Sequence, residues 1–200
     1  NGHEKERGMN RRQMLMLTLP LMAAPGLLAA APAAKSSAKT PPAKGKGYDP
    51  QPTEVPIRDG FEVGSIVVVS GDYYLYHVVA PGRAIRYGVA VGKDELVWKG
   101  RALIGRKVEW PSWKPTPAMI ERKPEQYGKW KDGMPGGPKN PLGARALYLY
   151  TAGGNDTSIR IHGTTEPGSI GRSVSNGCIR MRNEAVMALF DQVPVGTPVY

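Results

Sequence analysis

The chain has one cysteine, Cys178, and His162 lies sixteen positions before it, in the stretch "IHGTTEPGSIGRSVSNGCIRMRN" (161–183). A thiol attacks well only as the thiolate, and free cysteine is mostly protonated at neutral pH. A neighbouring imidazole can take the thiol proton and later give it to a leaving group. The other interpretation is a small buried residue without chemistry. The neighbours of Cys178 decide between the two.

Two neighbours of the thiol suit covalent chemistry. Gly177 has no Cβ, so its backbone N–H and that of Cys178 could converge on a developing oxyanion. Arg180 offers a fixed cation two positions later, and a guanidinium can hold a carboxylate through two parallel hydrogen bonds. Each feature has an ordinary structural explanation when taken alone. Together they favour a nucleophilic cysteine.

These residues resemble the signature of the L,D-transpeptidase catalytic domain family of bacterial cell-wall enzymes. The signature is His-Gly, about fifteen residues, then Ser/Thr-x-Gly-Cys and an apolar residue, often with Arg after it. Here it is His162-Gly163 and later Ser175-Asn176-Gly177-Cys178-Ile179-Arg180. The segment "GGPKNPLGARALYLY" (136–150) also looks like the family's approach to its histidine strand. Many members have a second histidine where this chain has Asn176.

The resemblance implies a peptidoglycan L,D-transpeptidase. Cys178 would attack the bond between the L-centre of a diamino acid and the following D-Ala of a stem tetrapeptide. D-Ala would leave, and an amine would take the acyl group from the resulting thioester. His162 would be the base. The roles implied for the other residues are oxyanion or orienting backbone for Gly163, Asn176 and Gly177, and substrate binding for Ser175 and Arg180.

Three other functions stay open at this stage. Water could be the acceptor, which would make the protein an L,D-carboxypeptidase or an endopeptidase. A wall-binding module could have kept the fold and lost turnover. A sortase-like transpeptidase shares the cysteine, histidine and arginine, but there the arginine lies on a separate strand.

The elements that must position these residues are mostly strands. Short β-type segments separated by turns predict a mainly β domain, a sandwich or barrel-like L,D-transpeptidase fold with a few short helices. The predicted strands are 65–70, 73–79, 84–92, two within 96–110, 145–150, 158–163 and 198–200. A helix over 116–123 should begin with a Thr cap and Pro. Another over 183–193 should have Asn183 as its cap.

Residues 110–143 form a long segment rich in proline and tryptophan with little strand pattern. Loops of this length in a compact domain are usually functional or disordered. Trp110, Trp113 and Trp130 argue for order. We expect a lid or wall over a binding cleft.

The N-terminal part predicts export. Residues 1–34 contain Arg11-Arg12, an apolar stretch and an Ala31-Pro32-Ala33 cleavage site, the layout of a secretory signal that also resembles the twin-arginine type. A membrane anchor is the alternative, although Pro20 weakens a spanning helix. Residues 35–61 are interpreted as a flexible basic, proline-rich linker. The catalytic domain is then 62–200, an envelope or periplasmic protein without stable membrane insertion.

Charge and composition limit the classes of partner and ligand that we expect. Residues 1–47 carry eight Lys and Arg and two Glu, which is +6 of the net +10, so the folded part is only mildly basic and nucleic acid is not expected. The remaining histidines, His3 and His77, have no ligand-spaced partners, so no metal site is predicted. No cofactor is expected, and we expect a monomer that binds peptidoglycan stem peptides.

Overall fold

The computed structural model of the chain describes residues 48–200, which are mainly β, as predicted. The strands are β1 (Thr53–Pro56), β2 (Ile66–Val69), β3 (Tyr74–Ala80), β4 (Arg83–Gly88), β5 (Val91–Gly92), β6 (Ala102–Glu109), β7 (Arg145–Tyr150), β8 (Asp156–His162), β9 (Ser173–Ser175), β10 (Ile179–Arg180) and β11 (Pro198–Val199). The helices are α1 (Pro117–Arg122), α2 (Pro124–Tyr127) and α3 (Asn183–Gln192). The predicted signal 1–34 and the first part of the linker lie outside the described residues.

Nine strands form one mixed sheet in the order β1-β4-β3-β2-β11-β6-β7-β8-β10, and β5 and β9 form a small parallel sheet. The large sheet curls, because Arg180 on its last strand exchanges two backbone hydrogen bonds with Ala90, which follows β4 near the other edge. This contact makes the fold barrel-like, as expected. It also ties the strand after the cysteine to the opposite side of the domain.

The core lies within this curl and is closed by α3. Strand residues such as Ile66, Leu147 and Ile161 are fully buried, and α3 adds Val186 and Leu189. Burying each such side chain contributes about 1.5–3 kcal/mol. β8 is exposed at its start and enters this core at its last two residues, Ile161 and His162.

The region 96–110 contains one strand, not the two that we predicted. Residues Asp94–Leu96 form a 3-10 turn, and β6 then runs unbroken from Ala102. Gly105 marks a β-bulge against β7, where a Cβ would overlap the ring of Tyr150. Gly105 allows β6 and β7 to approach closely at the bulge, and β6 does not end there.

The linker prediction is corrected at its C-terminal end. β1 lies within 35–61 and pairs with β4 over four residues. Tyr48 stacks on Tyr74 with ring centroids 5.0 Å apart, and its hydroxyl donates to the Tyr73 carbonyl at 3.2 Å. The folded part thus begins at or before residue 48, because paired backbone and packed aromatic rings are not a flexible linker.

The segment 110–143 is ordered and contains α1, α2 and a 3-10 turn over Gly128–Trp130. As predicted, Thr116 caps α1, its Oγ1 accepting from the Met119 N–H at 3.2 Å. The two ends of the segment meet where the Trp110 N–H donates to the Ala144 carbonyl at 2.8 Å. The segment is thus a closed excursion from the sheet.

Within residues 48–200, no helix combines the length and the apolar character needed to cross a membrane.

Candidate active site

The pairing of two strands brings the predicted site residues together. His162 ends β8, and Cys178 directly precedes β10. The two strands are parallel, with Ile179 opposite Ile161 and Arg180 opposite His162. Paired residues point to the same face, and the face alternates along each strand. Cys178 and Arg180 therefore share one face with His162.

The His162 ring is buried, only 4% exposed, and neutral. Its Nδ1 lies 2.6 Å from the Gly163 carbonyl oxygen, the contact that the resemblance implies. A carbonyl only accepts, so Nδ1 carries the proton and Nε2 keeps the lone pair. Burial lowers the pKa of His162 to about 4, despite the opposing effect of the Gly163 carbonyl. At neutral pH the ring can act as a base through Nε2.

The Cys178 thiol is half-buried and protonated at neutral pH. Burial raises its pKa, while the Arg160 backbone N–H and the guanidinium groups of Arg160 and Arg180 oppose that effect. The thiol donates a long hydrogen bond, 3.9 Å, to the carbonyl of Ser158. Ser158 has φ +62° in the irregular part of β8. In this structure the thiol thus contacts Ser158 and not the histidine ring.

The turn before the cysteine depends on Ser175. Its Oγ donates to the Cys178 carbonyl at 2.6 Å and accepts from the Gly177 N–H at 3.1 Å. The side chain is 2% exposed. Ser175 therefore shapes the turn, and its role in substrate binding stays a prediction. The Gly177 N–H is committed to Ser175 and is not a free oxyanion donor, while Asn176 is exposed between them.

Gly177 is required for another reason. Its φ is +118°, a conformation that side-chain-bearing residues rarely adopt. A Cβ there would lie 3.0 Å from Ile159 Cδ1 and 3.1 Å from the Leu96 carbonyl oxygen. The glycine lets the turn pack closely against β8 and the 94–96 turn.

Arg180 already holds a carboxylate. Its Nη1 lies 3.1 Å from Glu166 Oε2, in the loop between the histidine and the cysteine. The Arg180 side chain is 25% exposed and that of Glu166 is 71% exposed. The predicted carboxylate-binding residue is therefore accessible, and its present partner can move away into solvent.

Arg160 is a second cation on this face, and it was not among the predicted site residues. Arg160 binds both oxygens of Asp156, at 2.7 and 2.8 Å. Its guanidinium lies 4.2 Å from the centroid of the Tyr148 ring, which Arg106 also approaches to 4.0 Å. Its spacing could have predicted this position, since Arg160 lies two positions before His162 on the same strand and such residues share a face.

Asn183 was also misassigned. α3 begins at this residue with Arg182 in the cap position, and Asn183 does not cap the helix. Its side-chain amide bonds instead to backbone at Ala144 and Thr164, beside Gly163. This contact depends on tertiary structure, so the local sequence gave no signal for it.

A cavity of about 380 Å³ borders the cysteine turn from the other side. Its lining includes Gly92, Trp98, Gly177 and Ile179. Ile179 alternates with Cys178 and so points away from the thiol. The cavity is therefore separate from the face that carries Cys178, His162 and Arg180. Among residues 48–200 no three His, Cys, Asp or Glu side chains are grouped as metal ligands would be.

Comparisons with known proteins agree with this arrangement. The chain is 41% identical over 96 residues to "Probable L,D-transpeptidase ErfK/SrfK" of Escherichia coli (strain K12), covering 48% of this chain and 29% of that protein. The Salmonella typhimurium protein of the same name is 35% identical over 147 residues, covering 72% of this chain and 44% of that protein. The chain thus spans less than half the length of these two relatives.

Solved structures give the same fold. A crystal structure described as "a Probable carnitine operon oxidoreductase caia from Brucella melitensis" is 52% identical, with a TM-score of 0.53, and covers 74% of this chain and 90% of that one. The structure of the Ldtfm-avibactam carbamoyl enzyme is 18% identical, with a TM-score of 0.50, and the match covers 70% of this chain and 48% of that one. The latter likeness concerns the fold alone.

The family model of the L,D-transpeptidase catalytic domain (YkuD) matches residues 64–200, more than half of the chain. That range contains the His-Gly pair, the cysteine turn and every strand of the sheet from β2 onward. The chain belongs to the L,D-transpeptidase catalytic domain family.

Proposed function

We propose that this protein is a peptidoglycan L,D-transpeptidase with Cys178 as nucleophile and His162 as base. The observation that carries the proposal is the parallel pairing of β8 and β10, which puts the thiol, the neutral imidazole and Arg180 on one face. A neutral base and a protonated thiol on one face are the combination that nucleophilic catalysis needs.

The first half-reaction acylates the cysteine. The thiol leaves the Ser158 carbonyl and gives its proton to Nε2 of His162, and sulfur attacks the carbonyl carbon at the L-centre of the diamino acid. The Cys178 N–H is the backbone donor next to the oxyanion, since the Gly177 N–H is held by Ser175. The bond to D-Ala breaks, its nitrogen takes the proton from His162, and a thioester remains.

The second half-reaction releases the acyl group. An acceptor amine attacks the thioester and loses a proton to Nε2 of His162. The carbon–sulfur bond breaks and the thiolate regains the proton. Water in place of the amine gives L,D-carboxypeptidase or endopeptidase activity through the same steps. The non-catalytic wall-binding module is disfavoured because Cys178, His162 and Arg180 are all present on one face.

The cations of this face suit the substrate. A stem tetrapeptide carries carboxylates, and Arg180 already binds an exposed carboxylate at 3.1 Å. A substrate carboxylate would replace Glu166 there and gain charge-assisted hydrogen bonds. The ordered segment 110–143 would form one wall of the cleft. The proposal includes export to the envelope, with residues 1–34 as the signal.

The oxidoreductase activity named for the Brucella neighbour is not carried over. Oxidoreductases that use nicotinamide cofactors commonly carry a G-x-G-x-x-G fingerprint between a strand and a helix. The sequence contains no such run. The family model and the cysteine face support acyl transfer.

Mass spectrometry of the chain incubated with a disaccharide-tetrapeptide tests the proposal. A cross-linked dimer would identify an amine acceptor, and a tripeptide product would identify water. Recovery of unaltered substrate under conditions where the thiol is reactive would refute catalysis and favour the binding module.

A further inference from the structure

Asn183 connects three points of the backbone behind the histidine. Its Oδ1 accepts from the Ala144 N–H at 3.1 Å and from the Thr164 N–H at 3.2 Å. Its Nδ2 donates to the Thr164 carbonyl at 3.1 Å. Both ends of the amide are thus used in contacts between elements, and none serves its own helix.

Two glycines make room for this amide. A Cβ on either Gly143 or Gly163 would overlap Asn183 Oδ1. A Cβ on Gly143 would also lie 2.6 Å from the Thr164 nitrogen. The three segments therefore fit closely around one side chain, and the backbone between them has little freedom to rotate.

The peptide group that joins Gly163 to Thr164 links Asn183 to the catalytic ring. A trans peptide is planar, and its C=O and N–H point in opposite directions. The Thr164 N–H points to Asn183 Oδ1, so the Gly163 C=O must point away from Asn183. In that direction it accepts the Nδ1–H of His162 at 2.6 Å.

We propose that Asn183 is a positioning residue that selects the catalytic tautomer of His162 by fixing this peptide group. If the peptide turned over, the Thr164 N–H would face Nδ1, and Nδ1 would have to accept. The ring proton would then lie on Nε2, where the base needs its lone pair. The inference rests on the proposed role of His162 as base, since only that role makes the tautomer matter.

The neighbouring contacts support a role in orientation beyond packing. The Gly163 N–H is held by the Arg145 carbonyl at 3.0 Å, and the His162 carbonyl accepts from the Met181 N–H at 2.8 Å. β7 and β10 therefore hold the backbone on the strand side of the ring. Asn183 supplies the hydrogen bond on the remaining side, at the Gly163–Thr164 peptide itself.

Nitrogen-15 NMR of the His162 ring in the whole chain tests the proposal directly. The chain has three histidines, so comparison with His162→Gln assigns the signals. At pH 7 the parent should show a protonated Nδ1 and an unprotonated Nε2. Asn183→Ala should show both tautomers in exchange. Turnover of the tetrapeptide should fall at least about tenfold in kcat, with KM nearly unchanged, as expected for a lost base.

Asn183→Asp provides the rescue, because its carboxylate still accepts from the Ala144 and Thr164 N–H groups, although it can no longer donate to the Thr164 carbonyl. The His162 ring of Asn183→Asp should keep the parental tautomer. If Asn183→Ala does not fold, the nitrogen-15 spectrum of Asn183→Asp alone tests the proposal. Ser65→Ala is the matched control. Ser65 is fully buried and donates to the Glu62 carbonyl at 2.6 Å, away from the site, so its loss should lower stability without changing the ring signals.

A single Nδ1–H tautomer in Asn183→Ala, or two tautomers in Asn183→Asp, would overturn the proposal. A parent ring protonated on Nε2 would overturn it as well. The proposed function fails separately: a parent without turnover, whose tautomer still depends on Asn183, would leave the positioning role intact and refute the transpeptidase.

Discussion

At the scale of single residues, burial shifts the pKa values of the two proposed catalytic groups in opposite directions. It raises the pKa of the Cys178 thiol and lowers the pKa of His162 to about 4. Both shifts favour the neutral forms, because a low-dielectric surrounding penalises charge. The resting pair is therefore thiol and imidazole, not thiolate and imidazolium. In the proposed mechanism the thiol proton moves to His162 only when substrate is bound.

Alkylation of Cys178 should accordingly rise with pH without a plateau between about pH 6 and pH 8, because only the thiolate reacts and its pKa is raised. The rate of alkylation by iodoacetamide at each pH, followed by intact-protein mass spectrometry, measures this pH dependence. His162→Gln should leave the profile nearly unchanged. A plateau that His162→Gln removes would instead show a preformed ion pair and contradict the neutral resting state.

Arg180 should act on the substrate more than on the thiol. Arg180→Lys keeps the charge but loses the planar fork, so the alkylation rate should stay near the parental value while turnover falls about tenfold, or roughly 1.4 kcal/mol. Glu166→Gln, which removes the present carboxylate partner, should lower KM for the tetrapeptide. Full turnover in Arg180→Lys would refute a bidentate carboxylate contact. Unchanged alkylation and turnover in Arg180→Ala would remove Arg180 from the site.

At the scale of elements, the turn before β10 places the sulfur. Ser175 closes this turn with two hydrogen bonds, and Gly177 at φ +118° packs against β8. Small displacements of a nucleophile cost much rate, since an error of about 1 Å can cost about 100-fold. We therefore expect displacement of this turn to lower turnover more than it lowers stability.

Gly177→Ala should lower turnover at least tenfold, because the new Cβ would press on Ile159 and shift the turn. Gly154→Ala is the matched control: Gly154 also has positive φ, +81°, but nothing lies within 4 Å of a Cβ there. Gly154→Ala should lose ~1–2 kcal/mol of stability from backbone strain, and Gly177→Ala should lose more, because its Cβ also crowds Ile159 and the Leu96 carbonyl. The two are compared by melting temperature and by turnover; equal turnover in both would show that the turn tolerates displacement.

The elements also show how far the sequence could predict the fold and the site. Strands such as β2, β7 and β8 follow from local runs of β-branched and aromatic residues, and the His-Gly and Gly-Cys pairs identify the chemistry. The bulge at Gly105, the pairing of β1 and the contacts of Asn183 depend on residues distant in sequence. No local pattern encodes those. The hydrogen bond from the Gly177 N–H to Ser175 Oγ could not be predicted for the same reason, since the two groups meet only in the folded turn.

At the scale of the whole molecule, the folded unit begins upstream of the family match, which starts at residue 64. A chain of residues 48–200 should be soluble and as active as the full chain, because it keeps β1 and Tyr48. A chain of residues 62–200 should unfold at a lower temperature, since β4 loses its partner and Tyr74 loses a stacked ring. The melting temperatures of the two chains, measured by thermal unfolding, test this prediction. Equal melting temperatures would mean that 48–61 contributes nothing.

The central claim is that Cys178 forms a thioester with the stem peptide. Intact-protein mass spectrometry after brief mixing with a disaccharide-tetrapeptide measures it most directly. We expect an adduct with the mass of the tetrapeptide substrate less D-Ala, located on Cys178, with free D-Ala released in equal amount. Cys178→Ala should keep the parental melting temperature and show neither adduct nor D-Ala. Release of D-Ala by Cys178→Ala at the parental rate would refute the thioester.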